Sequence, residues 1–339
     1  MTERQNDKVG DDSRVTRRRF LQITAVSGSL LLGGKLWHLA RSRTQTISET
    51  RTLMGTIINL VVVSDNAAQA EAAVTATFAE MARLIAIFDH RRADSPLALL
   101  NQTGRLEAPP PELVELLSLS VAYGRLTDGA FDISVKPMVD AQRAGETAVF
   151  SRQRLVDFQQ IDIRPEQVQL RQPGMALTLD GIAKGRVVDG ATAVLQAQGF
   201  PNVLVEAGGD LVGLGHRADG QAWHVGIQHP RRQAAGSLLG VLPVSMAAVA
   251  TSGDYRYRFS EDGRQHHIID PHTGSSPTEL AGVTVMAPTA ADADALSTAV
   301  MVMNVDAGLT LINRLPHVEA LLVTKSMQLH FSDGFPKLT

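Results

Sequence analysis

Cysteine is absent from all 339 residues. That absence excludes disulfides, thiolate metal sites, a cysteine nucleophile and a lipid-modified N-terminal cysteine, and it suits an oxidising compartment. A basic excess is also missing. The formal net charge is −3, and the first 43 residues, with nine Lys/Arg against four Asp/Glu, mask a more acidic body of 23 basic and 31 acidic residues, a net of −8. A nucleic-acid binder needs a basic footprint, so the acidic body argues against that class. No Gly-x-Gly-x-x-Gly follows the first expected strand, which disfavours a Rossmann dinucleotide site. No repeat, low-complexity tract or long linker interrupts residues 46–339. What is present is a hydrophobic share of 44%, enough for a sizeable core in one large domain or two ordinary ones.

The N-terminus carries an address. Thr16-Arg17-Arg18-Arg19-Phe20-Leu21-Gln22 precedes an apolar stretch from Ile23 to Leu32. The stretch is broken by Gly and Ser and is short for a membrane span. A charged head, Phe-Leu and a weakly apolar run, in that order, read as a twin-arginine signal over residues 1–43. The expectation is export to the periplasm of a body that folds beforehand. A basic arm beside a short helix is the plainer alternative. His38-Leu39-Ala40 matches a cleavage site poorly, so an uncleaved anchor stays open.

Apolar periodicity predicts the elements of the body. Thr52–Val63 is apolar and β-branched, a strand. Asn66 to Phe88 has helical spacing with Asn66 as N-cap. Pro109–Pro111 open a second helix that stops near Thr127-Asp128-Gly129. Strands are expected at 161–163, 168–170, 176–179, 203–206, 223–227, 247–250, 255–259, 267–269, 282–286, 320–323 and 328–331. Helices are expected over 182–198, ended by Gly199, and over 290–303. Strands in antiparallel groups with several long helices between them give an α+β fold with mixed, largely antiparallel sheets.

Five polar stretches interrupt this pattern. Leu179-Asp180-Gly181-Ile182-Ala183-Lys184-Gly185 lies where a strand hands over to a helix; backbone N–H groups there bind anions and Lys184 adds a charge, so phosphate is the expected guest. An ordinary glycine turn with a solvated lysine is the alternative. Glu206-Ala207-Gly208-Gly209-Asp210 lets backbone approach a ligand, or forms a tight hairpin. Ala250-Thr251-Ser252-Gly253-Asp254-Tyr255 gathers hydroxyls and a carboxylate, or is a β-turn. Among His266, His267 and His272, His267 stands beside an apolar strand and is the best placed general base. In Asp292-Ala293-Asp294-Ala295-Leu296-Ser297-Thr298, Asp294 and Thr298 share one helix face. They are hard oxygen ligands suited to Mg²⁺, unless Thr298 bonds back to a helix carbonyl. Asp294 has no basic neighbour in sequence before Arg314. Together the stretches describe a phosphate cradle, a Mg²⁺ site and a base without a protein nucleophile, hence phosphoryl transfer to an outside acceptor.

From Met54 onward the sequence resembles the family of FAD:protein FMN transferases. The resemblance rests on ordered blocks: Met54-Gly55-Thr56, Asp94-Ser95 to Leu100-Asn101, Thr127 to Asp132 with Pro137, Ile182 to Gly185, Ala207 to Asp210, Thr251 to Tyr255, His267 to Pro271 with Thr273-Gly274, Ala287-Pro288-Thr289 and Ala293 to Leu296. It implies FAD as co-substrate, attack of a Thr or Ser hydroxyl of a partner flavoprotein on the FMN-side phosphorus, and release of AMP. It implies that Asp294, Thr298 and a carbonyl at Gly181 hold Mg²⁺, Lys184 neutralises phosphate, and His267 takes the acceptor proton. Met54, Phe88, Asp132, Gly208, Gly209, Ser252 and Asp254 would surround the nucleotide. The chain departs from the family pattern at Ala98, Thr178, Asp180 and Arg186. With the export signal, these departures resemble the subgroup that loads FMN on a membrane flavoprotein in nitrous oxide reductase maturation. Two rival readings follow the same residues: a Mg²⁺-dependent FAD pyrophosphatase, and a non-catalytic flavin-binding maturation factor.

Overall fold

The computed structural model describes residues 44–146, 149–232, 237–260 and 264–339. The expected export signal lies outside them. Among the described residues no helix is long and apolar enough to cross a membrane.

The chain opens with two antiparallel strands, β1 (Gln45–Leu53) and β2 (Thr56–Ser64), where the apolar pattern predicts one. The division falls at Met54 and Gly55, both at positive φ (54° and 67°), the conformation of a tight hairpin turn. The polar, largely exposed β1 gives no apolar signal. Helix α1 (Ala67–Phe88) follows, with the Asn66 side chain accepting from the Gln69 N–H as expected. Next come α2 (Pro96–Thr103), β3 (Arg105–Glu107), α3 (Pro111–Leu126) and α4 (Lys136–Arg143). Strands β4 (Ile161–Arg164) and β5 (Gln167–Leu170) join β3 in a small sheet ordered β3-β5-β4.

Helix α5 (Ala183–Ala197) leads to a hairpin of β6 (Val203–Ala207) and β7 (Asp210–Leu214). A two-stranded ribbon, β8 (Trp223–Gln228) with β9 (Leu238–Val244), precedes β10 (Ala247–Gly253) and β11 (Leu280–Ala287). Helices α6 (Ala290–Val302) and α7 (Val305–Ile312) and strands β12 (Glu319–Thr324) and β13 (Leu329–Phe331) complete the chain. The main sheet is ordered β1-β2-β6-β7-β10-β11-β12-β13, antiparallel throughout. The α+β class expected from sequence is what the chain adopts.

Both faces of this sheet are covered, as the period-two alternation requires. Val203 and Val205 of β6 face the helices α1, α5 and α6, whereas Leu204 faces a second core with Trp223, Leu242 and Val244 of the ribbon. Helix α6 is rich in alanine and buried on most sides, lying close against β10, β11 and α5.

Three expected strands are not strands. Residues 176–179 run extended without a ladder because the Asn101 side-chain amide takes both backbone groups of Leu177: the Leu177 N–H donates to Oδ1 (2.6 Å) and Nδ2 donates to its carbonyl (2.9 Å). Residues 255–259 and 267–269 are not in a ladder: among the described residues they are linked by the isolated bridge Arg258–His266 and by backbone bonds such as the His267 N–H donating to the Tyr257 carbonyl (3.0 Å).

Candidate active site

Sheet pairing gathers several predicted residues at one end of the main sheet. Because Ile58 pairs with Ala207 and Leu211 with Val249, the β1–β2 turn, the β6–β7 turn and the end of β10 are neighbours. The tight-hairpin alternative for Gly208-Gly209 is correct, with φ of 58° and 102°. A Cβ on Gly208 would stand 2.5 Å from the Thr56 hydroxyl, so the two turns touch. Met54, Gly208, Gly209 and Ser252 therefore share this end. Phe88, the last residue of α1, is buried in the core.

Helices α5 and α6 bring the charged groups together. Their approach depends on Gly185, where a Cβ would meet the Ala290 carbonyl oxygen at 2.1 Å and the Ala291 nitrogen at 2.6 Å. Asp189 of α5 fixes the register by accepting the Ala290 and Ala291 N–H groups (2.7 and 2.9 Å), free donors at the start of α6. One turn further, Asp294 accepts the Gly185 N–H (3.2 Å) and lies 3.5 Å from the Lys184 ammonium. Lys184 also donates to Asp210, the first residue of β7. Asp294 thus has a cationic partner 110 residues away, where the sequence offers none nearby. Asp210, absent from the predicted site set, is the main omission. The Gly-Gly-Asp block was its only signal, since β7 was not recognised as a strand.

Asp210 and Asp294 are 1% and 2% exposed. Burial, then the adjacent Asp210 carboxylate, push the Asp294 carboxyl above its usual range. Burial presses the Lys184 ammonium down, but Asp210 and Asp294 outweigh it and hold it above the usual lysine value. Two buried carboxylates share one ammonium in a poorly hydrated place, an imbalance that a proton on Asp294 or a further cation relieves. Thr298 and Gly181 lie beside them: a Cβ on Gly181 would stand 3.0 Å from Thr298 Oγ1. The Ser252 hydroxyl is 3.2 Å from Thr298 Oγ1 and 2.9 Å from Ser297 Oγ. Among the described residues no group of three or more acidic or histidine side chains forms a protein-only metal cage. The donors present are all hard oxygens, a set that fits Mg²⁺ completed by substrate phosphates.

His267 is partly buried, its ring edge-on to Tyr257 at 5.4 Å. Its Nδ1 lies 3.4 Å from the Tyr257 carbonyl, which can only accept. That tautomer leaves Nε2 as the free base nitrogen. Burial first, then His266, bring its pKa down to about 4, so the ring is neutral at pH 7. Lys184 and Asp180 are among the charges that act on it.

Two predicted nucleotide contacts are otherwise engaged. Both Asp254 oxygens accept from Arg231 (2.7 Å each), with Lys325 at 3.8 Å. Asp132 accepts from the Ser134 N–H and hydroxyl (2.7 and 2.6 Å) and the Phe158 N–H (3.1 Å), closing a loop beside an open cleft of about 410 Å³. The unusual Asp180 forms a two-pronged pair with Arg91 (3.1 and 2.7 Å), and Thr178 Oγ1 accepts the Asp180 N–H (3.2 Å). These departures from the family pattern therefore stabilise each other locally.

The chain is similar to known proteins over most of its length. The chain is 32% identical over 324 residues to an FAD:protein FMN transferase of Treponema pallidum, covering 87% of this chain and 89% of that protein. It is 28% identical to one of Haemophilus influenzae, covering 94% and 97%. Among solved structures, the ApbE protein of Thermotoga maritima superposes with a TM-score of 0.77 at 27% identity, over 85% of this chain and 97% of that one. The apo flavinyl transferase ApbE of Pseudomonas stutzeri gives 0.76 at 26% identity, over 86% and 95%. The sequence model of the ApbE family matches residues 54–322, which span every group of the cluster described above, and the chain belongs to that family.

Proposed function

We propose that this chain is an FAD:protein FMN transferase that moves FMN from FAD to a threonine or serine hydroxyl of an acceptor flavoprotein and releases AMP. The observation that carries the proposal is the buried Lys184–Asp210–Asp294 cluster, two carboxylates on one ammonium, within electrostatic reach of a neutral histidine. Asp294, Thr298 and the Gly181 carbonyl would hold Mg²⁺. Bound there, the ion supplies charge stabilisation to the transferring phosphoryl group. Lys184 is pinned by its two carboxylates and keeps Asp294 in place. His267 Nε2 accepts the proton of the acceptor hydroxyl as its oxygen bonds to the FMN-side phosphorus. The bond from that phosphorus to the bridging oxygen breaks, and AMP departs with the electron pair. Met54, Gly208 and Gly209 present backbone that a nucleotide can approach closely.

The alternative of an FAD pyrophosphatase differs only in the nucleophile, water in place of the protein hydroxyl. Incubation with FAD distinguishes them: transferase action gives AMP only when acceptor is present, pyrophosphatase action gives AMP and free FMN without it. The binding-factor alternative loses its main support because Asp180 is neutralised by Arg91 and leaves the metal donors untouched.

Export by the twin-arginine route, and an acceptor that is a membrane-bound electron-transfer subunit facing the periplasm, belong to the same proposal. Their support is the Thr16–Gln22 sequence. Replacing Arg17 and Arg18 together by lysine should leave the protein in the cytoplasm on cell fractionation. Unchanged periplasmic recovery would refute the signal.

A further inference from the structure

Lys184 is the cation expected to meet the substrate phosphate, yet it is already engaged by two carboxylates. A second cation stands next to it without such engagement. Arg256 lies just beyond β10, half-buried, and its Nη2 is 2.7 Å from where a Cβ on Gly209 would stand. The fork therefore rests on the Gly208-Gly209 turn, whose next residue, Asp210, holds Lys184. Only glycine leaves this space: at φ 102° Gly209 adopts a conformation that side chains disfavour.

The acidic groups nearby make their direct bonds elsewhere. Asp210 takes Lys184, and Asp254 takes Arg231. Glu206 accepts the Gly209 N–H (2.7 Å) and the Asn59 amide (2.6 Å). Among the described residues Arg256 forms no ion pair; its Cζ lies 5.6 Å from the Tyr255 ring centroid and it hydrogen-bonds the Tyr255 side chain. A planar guanidinium, partly desolvated and in no direct ion pair, with the Glu206 carboxylate acting on it only from a distance, suits a two-pronged bond to phosphate oxygens.

On the function proposed above, we propose that Arg256 is a substrate-binding residue that grips the FAD pyrophosphate from the Gly208-Gly209 side, opposite the α5–α6 cluster. It supplies the positive charge that Lys184, held by Asp210 and Asp294, does not have to spare. Its effect is confined to ligands that carry phosphate.

The test is a flavin fluorescence titration of the full chain with FAD and with riboflavin, which lacks phosphate. R256Q should weaken FAD binding about 10–100-fold, the range for charge-assisted hydrogen bonds. R256K, which keeps the charge and loses the fork, should fall between. Riboflavin affinity should be equal in all three proteins. FAD affinity unchanged in R256Q overturns this proposal and leaves the transferase reading intact. Equal losses for FAD and riboflavin overturn it too, because Arg256 would then not be reading phosphate. Should R256Q not fold, R256K with wild-type FAD affinity has the same force. A wild-type chain that binds no FAD overturns both readings.

Discussion

Asp294→Ala should abolish covalent flavin transfer, lowering turnover about 10³-fold or more, while the chain stays folded. Asp294 is the one carboxylate of the cluster on the same helix face as Thr298, and it is nearly inaccessible to solvent. On the proposed function, removing it deletes a metal donor, not an exposed charge. The structural cost is smaller. The Gly185 N–H loses its acceptor, worth about 1–3 kcal/mol when buried, and Lys184 keeps Asp210. The neighbouring Asp292→Ala supplies the contrast. Asp292 points off the other side of α6 and accepts the Tyr123 hydroxyl at 2.6 Å, so its loss should cost about 1 kcal/mol of stability and leave turnover near normal. Steady-state AMP release and a urea titration of both variants check the pair. If Asp292→Ala were the inactive one, the cluster on α6 would have been assigned to the wrong face.

His267→Ala should slow transfer by about 10²–10⁴-fold with FAD affinity near wild type, the usual contribution of a general base. The pH dependence sharpens this. An imidazole with a pKa of about 4 stays neutral well below the ordinary histidine range, so kcat/KM, which reports the free enzyme, should show no acid limb from His267 between pH 7 and 5. Stability carries the same signature. Between about pH 6.5 and 4 the unfolded chain binds a proton at this histidine and the folded chain does not, so stability should fall as pH is lowered through that window. His267→Ala should remove that part of the slope. An acid limb centred near 6.5 that disappears in His267→Ala would contradict the partly buried, neutral imidazole.

The parts legible in sequence were those governed by local rules. The Asn66 cap, the proline-opened α3 and the glycine after α5 each depend on a few adjacent residues. Asp294 and Thr298 fall on one face because helix geometry alone puts them there. What stayed hidden depended on partners far along the chain. Residues 176–179 look like a strand because Leu177 and Leu179 alternate inward, but an asparagine 76 residues away stands in for the neighbouring strand. β1 is a polar edge strand, and polar edges carry no apolar period. Asp210 became visible as a site residue only when the β6–β7 hairpin set it opposite α5. Asp254, expected at the nucleotide, is paired with Arg231, 23 residues earlier. Gly185 reads in sequence as part of a phosphate loop, yet its position is dictated by the Ala290 backbone pressed against it.

The central claim is that this cluster moves FMN onto another protein. The direct measurement is in-gel flavin fluorescence after denaturation, using the full chain, FAD, Mg²⁺ and a candidate acceptor flavoprotein. The account predicts fluorescence on the acceptor band that requires FAD, vanishes with a chelator, returns with Mg²⁺ and is missing with Asp294→Ala. A dark acceptor band while FAD is cleaved to FMN and AMP, or transfer that persists in full with chelator present, would contradict it.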